Sequence, residues 1–204
     1  MNIDKIPFQE LILDQHLVMF SVLFFVVLLM LLNWKKLHRA WREWGTYRCL
    51  NRIGIKQRRN VICPDGLDGE FILDRLVMLP NALLLINFKR YSGNIYCAER
   101  ISEWTQVVEQ KSYKFENPLF DLNHQLTTLR QIVPESKIDG YLFFDHSAQF
   151  PKGHPDSILH PHNIPKEFLR ENCAEPEPAV LKSWELLSEL PVSNQGSRAS
   201  GLKT

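Results

Sequence analysis

Between Leu17 and Leu32 the sequence reads LVMFSVLFFVVLLMLL, with Ser21 its one polar residue and no charge. Such a run restricts a chain to two outcomes, a helix buried on every side or a helix seated in lipid. As a helix rising about 1.5 Å per residue, the segment from Leu17 to Trp34 covers roughly 27 Å, close to the hydrocarbon thickness of a bilayer. A cleaved leader fits poorly. Met1 to His16 carries Asp4, Glu10 and Asp14 against a single Lys5, and no small-residue cleavage site follows. The expectation is a single transmembrane helix over 17–34, preceded by a short extracytoplasmic N-terminus over 1–16.

Charge sets the expected orientation. After Trp34 come Lys35, Lys36, Arg39, Arg42, Arg48, Arg52, Lys56, Arg58 and Arg59, against Glu43 alone. Lys and Arg near a membrane end stay on the cytoplasmic side, so the N-terminus is expected outside, with a cytoplasmic domain behind an inner-membrane anchor. Cys49, Cys63, Cys97 and Cys173 are scattered without disulfide-framework or C-x-x-C spacing, as suits a reducing compartment. The formal net charge is +1, so the basic stretch over 35–60, read as a juxtamembrane helix, is a local feature. It suits anionic lipid or nucleic acid, and Arg52, Arg58 and Arg59 are the candidate nucleic-acid contacts.

About 150 residues follow, enough for one modest core. Phe71–Leu79 and Ala82–Lys89 are rich in strand formers and flank the turn pair Pro80-Asn81. Ile138–Asp145 reads as a third strand and Arg59–Cys63 as a fourth. Asn117-Pro118 supplies an N-cap and a first-turn proline; Leu119, Leu122, Leu126, Leu129 and Val133 then recur at helical spacing until Pro134. With a helix near Lys36–Arg52 the order is α-β-β-β-α-β, an α/β domain with its leucine stripe on the sheet. A Pro-rich loop and a C-terminal helix are expected over 151–190, and a disordered tail over 191–204.

Pro80 cannot adopt the positive φ of a tight type I′ turn, so a four-residue loop is the expected closure. The register then places 79 opposite 82, 78 opposite 83, and Asp74 opposite Asn87, with Lys89 on the same face as Asn87. An acid, an amide and a lysine among apolar strand residues need a reason. Either they form a site, or Asp74 and Lys89 are an ion pair at a sheet edge.

Asp74, Asn87-Phe88-Lys89, Tyr91-Ser92-Gly93, Trp104-Thr105-Gln106, Tyr113 and Phe115-x-Asn117-Pro118-Leu119 together resemble the nuclease-related domain (NERD) family. Glu43 with Leu50 resembles that family's helix glutamate and leucine. The resemblance spans about Glu43 to Asp145, within a domain expected over 43–150. It implies membership of the PD-(D/E)xK nuclease superfamily, a restriction-endonuclease-like αβββαβ core and action on nucleic acid. In such sites carboxylates hold Mg²⁺, which activates a water and stabilises charge on the scissile phosphate while a lysine supports the attack.

By that resemblance Asp74, Asn87 and Lys89 are the catalytic positions, and Asp74 with Glu43 the metal ligands. Three positions depart from the family pattern: Asn87 replaces the glutamate of E-x-K, Arg75 follows Asp74 where histidine is usual, and Asp121 replaces the helix glutamine. Each weakens the metal site, with Glu43 or Glu70 as substitute carboxylates. The expected function is nucleic-acid action with weak Mg-dependent cleavage; the alternative is an inactive pseudonuclease fold used as a membrane-tethered binding module. His146, His154, His160 and His162 lack the usual zinc-ligand spacing and read as loop residues. Trp104, Tyr113 and Phe115 read as packing before base stacking. No Gly-rich phosphate loop, nucleophile elbow or H-E-x-x-H motif occurs.

Overall fold

A computed structural model of the chain describes residues 8–34, 45–66 and 69–193, with side chains from residue 18 onward in the first helix. The chain divides into two compact units, Met1–Gly45 and Thr46–Thr204.

The first unit contains α1, Phe8–Leu32. Among the described residues no helix is long and apolar enough to cross a membrane. The expected transmembrane helix over 17–34, and the inner-membrane location and N-out orientation derived from it, are therefore corrected. The unbroken apolar run, 17–32, rises only about 24 Å, short of the roughly 30 Å of a hydrocarbon core. The helix also starts well before that run, through Gln9, Glu10, Asp14, Gln15 and His16.

The second unit is mixed α/β. Helical residues 45–50 (α2) lead into β1 (Lys56–Pro64), β2 (Glu70–Met78) and β3 (Leu83–Lys89). Then come β4 (Gly93–Tyr96), β5 (Glu103–Val108) and β6 (Lys111–Glu116), followed by α3 (Pro118–Ile132) and β7 (Ile138–Phe144). Short strands β8 (Ala148–Gln149) and β9 (Ile158–Leu159), two 3-10 turns and α4 (Pro178–Ser188) complete it. The larger sheet has the order β1-β2-β3-β7-β9, antiparallel through β3 and parallel beyond it; β6-β5-β4-β8 form a second sheet. The order α2-β1-β2-β3-α3-β7 thus runs through the larger sheet, with β4–β6 inserted before α3. The basic stretch expected as helix to residue 60 ends in β1, and its first part, 35–44, lies outside the described residues.

Leu79–Ala82 form the expected four-residue loop, closed by a Leu79 N–H to Ala82 carbonyl bond of 2.9 Å. The register follows from it, Met78 opposite Leu83 and Arg75 opposite Ile86. Side-chain alternation then splits the strands. Leu76, Met78, Leu83 and Leu85 join the core with Leu122, Leu126 and Leu129 of α3, while Val77, Leu84 and Ile86 pack with Leu50 and Ile53. At Gly140 of β7 an added Cβ would lie 2.5 Å from Leu126 Cδ1, so the missing side chain is what lets α3 lie close on the sheet.

α3 starts as its sequence requires. Asn117 is the N-cap, accepting from the Leu119 N–H at 2.9 Å, and Pro118 occupies the first turn, where its absent N–H costs nothing. Trp104 is fully buried and donates from Nε1 to the Ala98 carbonyl, and Tyr91 stacks on Phe115 with centroids 4.1 Å apart. Trp104 and Phe115 are thus packing residues. All four cysteines are free thiols.

Candidate functional site

Asp74 sits one step past the last paired residues of the β2–β3 ladder, in line with Asn87. Its Oδ2 accepts the Phe88 N–H at 2.8 Å, so a side-chain carboxylate takes the amide just where the ladder stops. Burial raises the Asp74 pKa above the usual carboxylate value; the Phe88 N–H, then Lys89, Arg75 and Arg90, act against that rise. Lys89 is half-buried and Arg90 exposed. Arg90 lies 5.5 Å from the Phe88 ring centroid and bonds the Tyr47 hydroxyl at 3.1 Å. No Asp74–Lys89 ion pair within 4.0 Å occurs among the described residues, so the two interact through space and not as a closed pair.

Asn87 is 4% exposed. Its Nδ2 donates to Gln125 Oε1 of α3 at 2.6 Å, while its Oδ1 is buried with no protein partner. A buried acceptor without a donor costs about 1–3 kcal/mol and marks a place where a water, cation or ligand group is favoured. Asp74, midway along β2 where its pairing with β3 stops, thus lies beside the end of β3 that carries Asn87 and Lys89, and Gln125 of α3 bonds Asn87 there. Gln125 had not been singled out in the sequence, yet its position showed it. It is three residues after Leu122 and four before Leu129, a polar residue inside the leucine stripe. Arg90 carried no such signal, since its role depends on where Tyr47 comes to lie.

The residues named as ligands can be compared with what Mg²⁺ requires. That ion takes six oxygens in near-octahedral array and is held through carboxylates. Asp74 offers one charged oxygen pair, half engaged by Phe88, and Asn87 offers an uncharged oxygen. Glu43 lies outside the described residues. Glu70 is exposed and stands four residues before Asp74 on the same strand, about 13 Å away at 3.3 Å per residue. Among the described residues no three His, Cys, Asp or Glu side chains converge to hold a metal. This donor set does not fit Mg²⁺.

The three candidate nucleic-acid arginines are separately placed. Arg52 pairs with Glu171 at 3.1 Å, and Arg58 donates to the carbonyls of Leu187 and Leu190 at 2.7 and 3.0 Å. Arg59, in β1, bonds Asn51. The histidines form a ring-contact chain, His146–His162–His160–His154, with centroids 5.2 to 6.1 Å apart. His160 is 4% exposed and packed, while His146, His154 and His162 are exposed, as loop residues are.

No curated protein and no solved structure matches the chain. The family described as NERD, nuclease-related domain, matches residues 41–145, a span holding α2, β1 to β7, α3 and every residue of the Asp74 cluster. That span is more than half of the 204 residues, and the chain belongs to the nuclease-related domain (NERD) family.

Proposed function

We propose that this protein binds nucleic acid through the Asp74–Asn87–Lys89 end of β2 and β3, as a nuclease-related domain whose centre binds a strand better than it cuts one. The observation that carries this reading is Asn87. It is buried between Asp74 and Lys89, bonded to Gln125, and leaves the centre one full negative charge poorer than a pair of carboxylates. Lys89 and Arg90 supply positive charge beside it, available to phosphates. Phosphate contact by such cations releases counterions, so affinity falls with salt.

Binding of labelled DNA and RNA should therefore be measured over a salt series with the parent and with Lys89→Ala/Arg90→Ala. If both cations contact a duplex, the slope of log K against log salt should become shallower by roughly 1.8. An unaltered slope would remove this end of the sheet as the binding surface.

Hydrolysis is the second reading, favoured by the retained Asp74 and Lys89 and by the unpartnered Asn87 Oδ1. Asn87→Glu tests it by placing a second carboxylate beside Asp74. Buried like charges repel, so the variant should unfold at lower temperature than the parent, and Mg²⁺ or Mn²⁺ should recover more stability in it than in the parent. Asp74→Ala should abolish that recovery. Metal-dependent cleavage by the parent itself, lost in Asp74→Ala, would instead make hydrolysis the function and point to a carboxylate outside the described residues, Glu43 first.

A further inference from the structure

Next to Asp74 on β2 is a buried cation with no carboxylate within 4.0 Å among the described residues. Arg75 is 5% exposed, and its Nη1 donates to Asn51 Oδ1 at 3.0 Å and Gln57 Oε1 at 2.7 Å, both neutral oxygens. Arg59 stands opposite Arg75 in the β1–β2 ladder and donates to the same Asn51 oxygen. Burial, then repulsion from Arg59, lowers the Arg75 pKa to about 10, which leaves it fully charged near neutral pH. Asp74 acts on Arg75 through space only, so two guanidinium groups sharing one amide oxygen keep an excess of positive charge, which favours any counterion that can reach it.

An open pocket of about 560 Å³ lies at the outer edge of β1 beside this pair, and Lys56, Arg58, Arg59 and Arg170 line it with Asn51 and Trp184. Among the described residues no carboxylate lines it. Its cations differ in how they are held. Arg58 is fixed by the α4 carbonyls and Arg170 by the Gly54 carbonyl at 2.9 Å, while the exposed Lys56 and Arg59 face the opening. Arg52, a short distance along the chain, shows the contrast, since Glu171 neutralises it. No carboxylate lies within 4.0 Å of Lys56, Arg59, Arg75 or Arg170 among the described residues. The sheet edge contributes too. Residues 191–193 cover β1 at Asn60–Ile62, and the ladder's alternation turns the Arg58 N–H outward where the edge is open.

We infer that this pocket is a phosphate site, taking the terminal phosphate group of a phosphomonoester on Lys56 and Arg59. Planar guanidinium donors match phosphate oxygens in pairs, and a dianion supplies the charge that Arg59 and Arg75 lack. Trp184 offers an apolar wall for whatever carries the phosphate. The site lies at the outer edge of β1 and does not rest on the nucleic-acid reading.

The test is thermal unfolding of the full chain with inorganic phosphate against chloride at equal ionic strength. At ten times its Kd, phosphate should raise the midpoint by about 3–6 °C. Lys56→Gln/Arg59→Gln alters exposed residues only and should weaken phosphate affinity at least about tenfold. Lys111→Gln/Lys114→Gln, equal in charge but on exposed β6, should leave it unchanged. AMP bound more tightly than adenosine would identify a free nucleotide as the source of the phosphate. A 5′-phosphorylated oligonucleotide bound more tightly than its 5′-hydroxyl form would identify a strand end. No phosphate-specific shift, or an equal shift in both double variants, would overturn the site. The salt slope of Lys89→Ala/Arg90→Ala is read separately, so either proposal can fail alone.

Discussion

Asn117→Ala should lower the stability of the second unit by about 3 kcal/mol, a fall in melting temperature on the order of 10 °C. The side chain is fully buried and every polar atom is occupied. Its oxygen caps α3 through the Leu119 N–H, worth about 1 kcal/mol by itself. Its Nδ2 donates to the carbonyls of Ala98, Glu99 and Ile101 at 3.4, 3.0 and 2.8 Å, so one amide also fixes the loop between β4 and β5. Removing it strands those acceptors. Asn117→Asp separates the two roles. It keeps the capping oxygen but turns a second oxygen toward three carbonyls, and should be at least as damaging as alanine. Thermal unfolding of both variants measures this, and a loss below about 1 kcal/mol for either would reduce Asn117 to an ordinary cap.

Acid should weaken the fold well before the carboxylates titrate, through His160. Burial, then the neighbouring His154 and His162, push its pKa down to about 4, with a bond to the Phe144 backbone opposing. An imidazole with a folded-state pKa below its unfolded value of 6.5 binds fewer protons when folded. Its contribution is therefore complete above pH 6.5 and is lost as pH falls toward 4, by about 3 kcal/mol if the whole shift is expressed. Asp74 is shifted the other way, so its protonation favours the fold as pH falls toward 3.8 and opposes the His160 loss; comparison with His160→Leu, which keeps Asp74, isolates the His160 part. Urea unfolding at pH 7.5 and 4.5 should show the loss, and His160→Leu should flatten it. A parent equally stable at both pH values would mean that His160 is not held neutral in the fold.

The strand pairing was legible because it is local. Pro80 forbids the tightest turn, the loop length follows, and a period-2 side-chain pattern then fixes which residues share a face. The start of α3 was legible for the same reason, since a cap acts within three residues. The second sheet was not. Residues 93–116 show weak alternation because β6 is almost wholly exposed, and only pairing with β5 makes it a strand. The apolar run at the N-terminus is legible as helix, and among the described residues that helix is not long and apolar enough to cross a membrane.

By itself the sequence determined the family, the β2–β3 register and the start of α3, and the last two rest on neighbours along the chain. Only the tertiary structure decided what those residues touch. It brought Gln125 from α3 onto Asn87, sent Arg52 and Arg58 to partners more than a hundred residues away, and put Arg59 and Arg75 on one amide oxygen of Asn51. Hydrogen bonds reach about 3 Å and charge only somewhat farther, so the chemistry of a side chain is set by whichever distant segment folds against it.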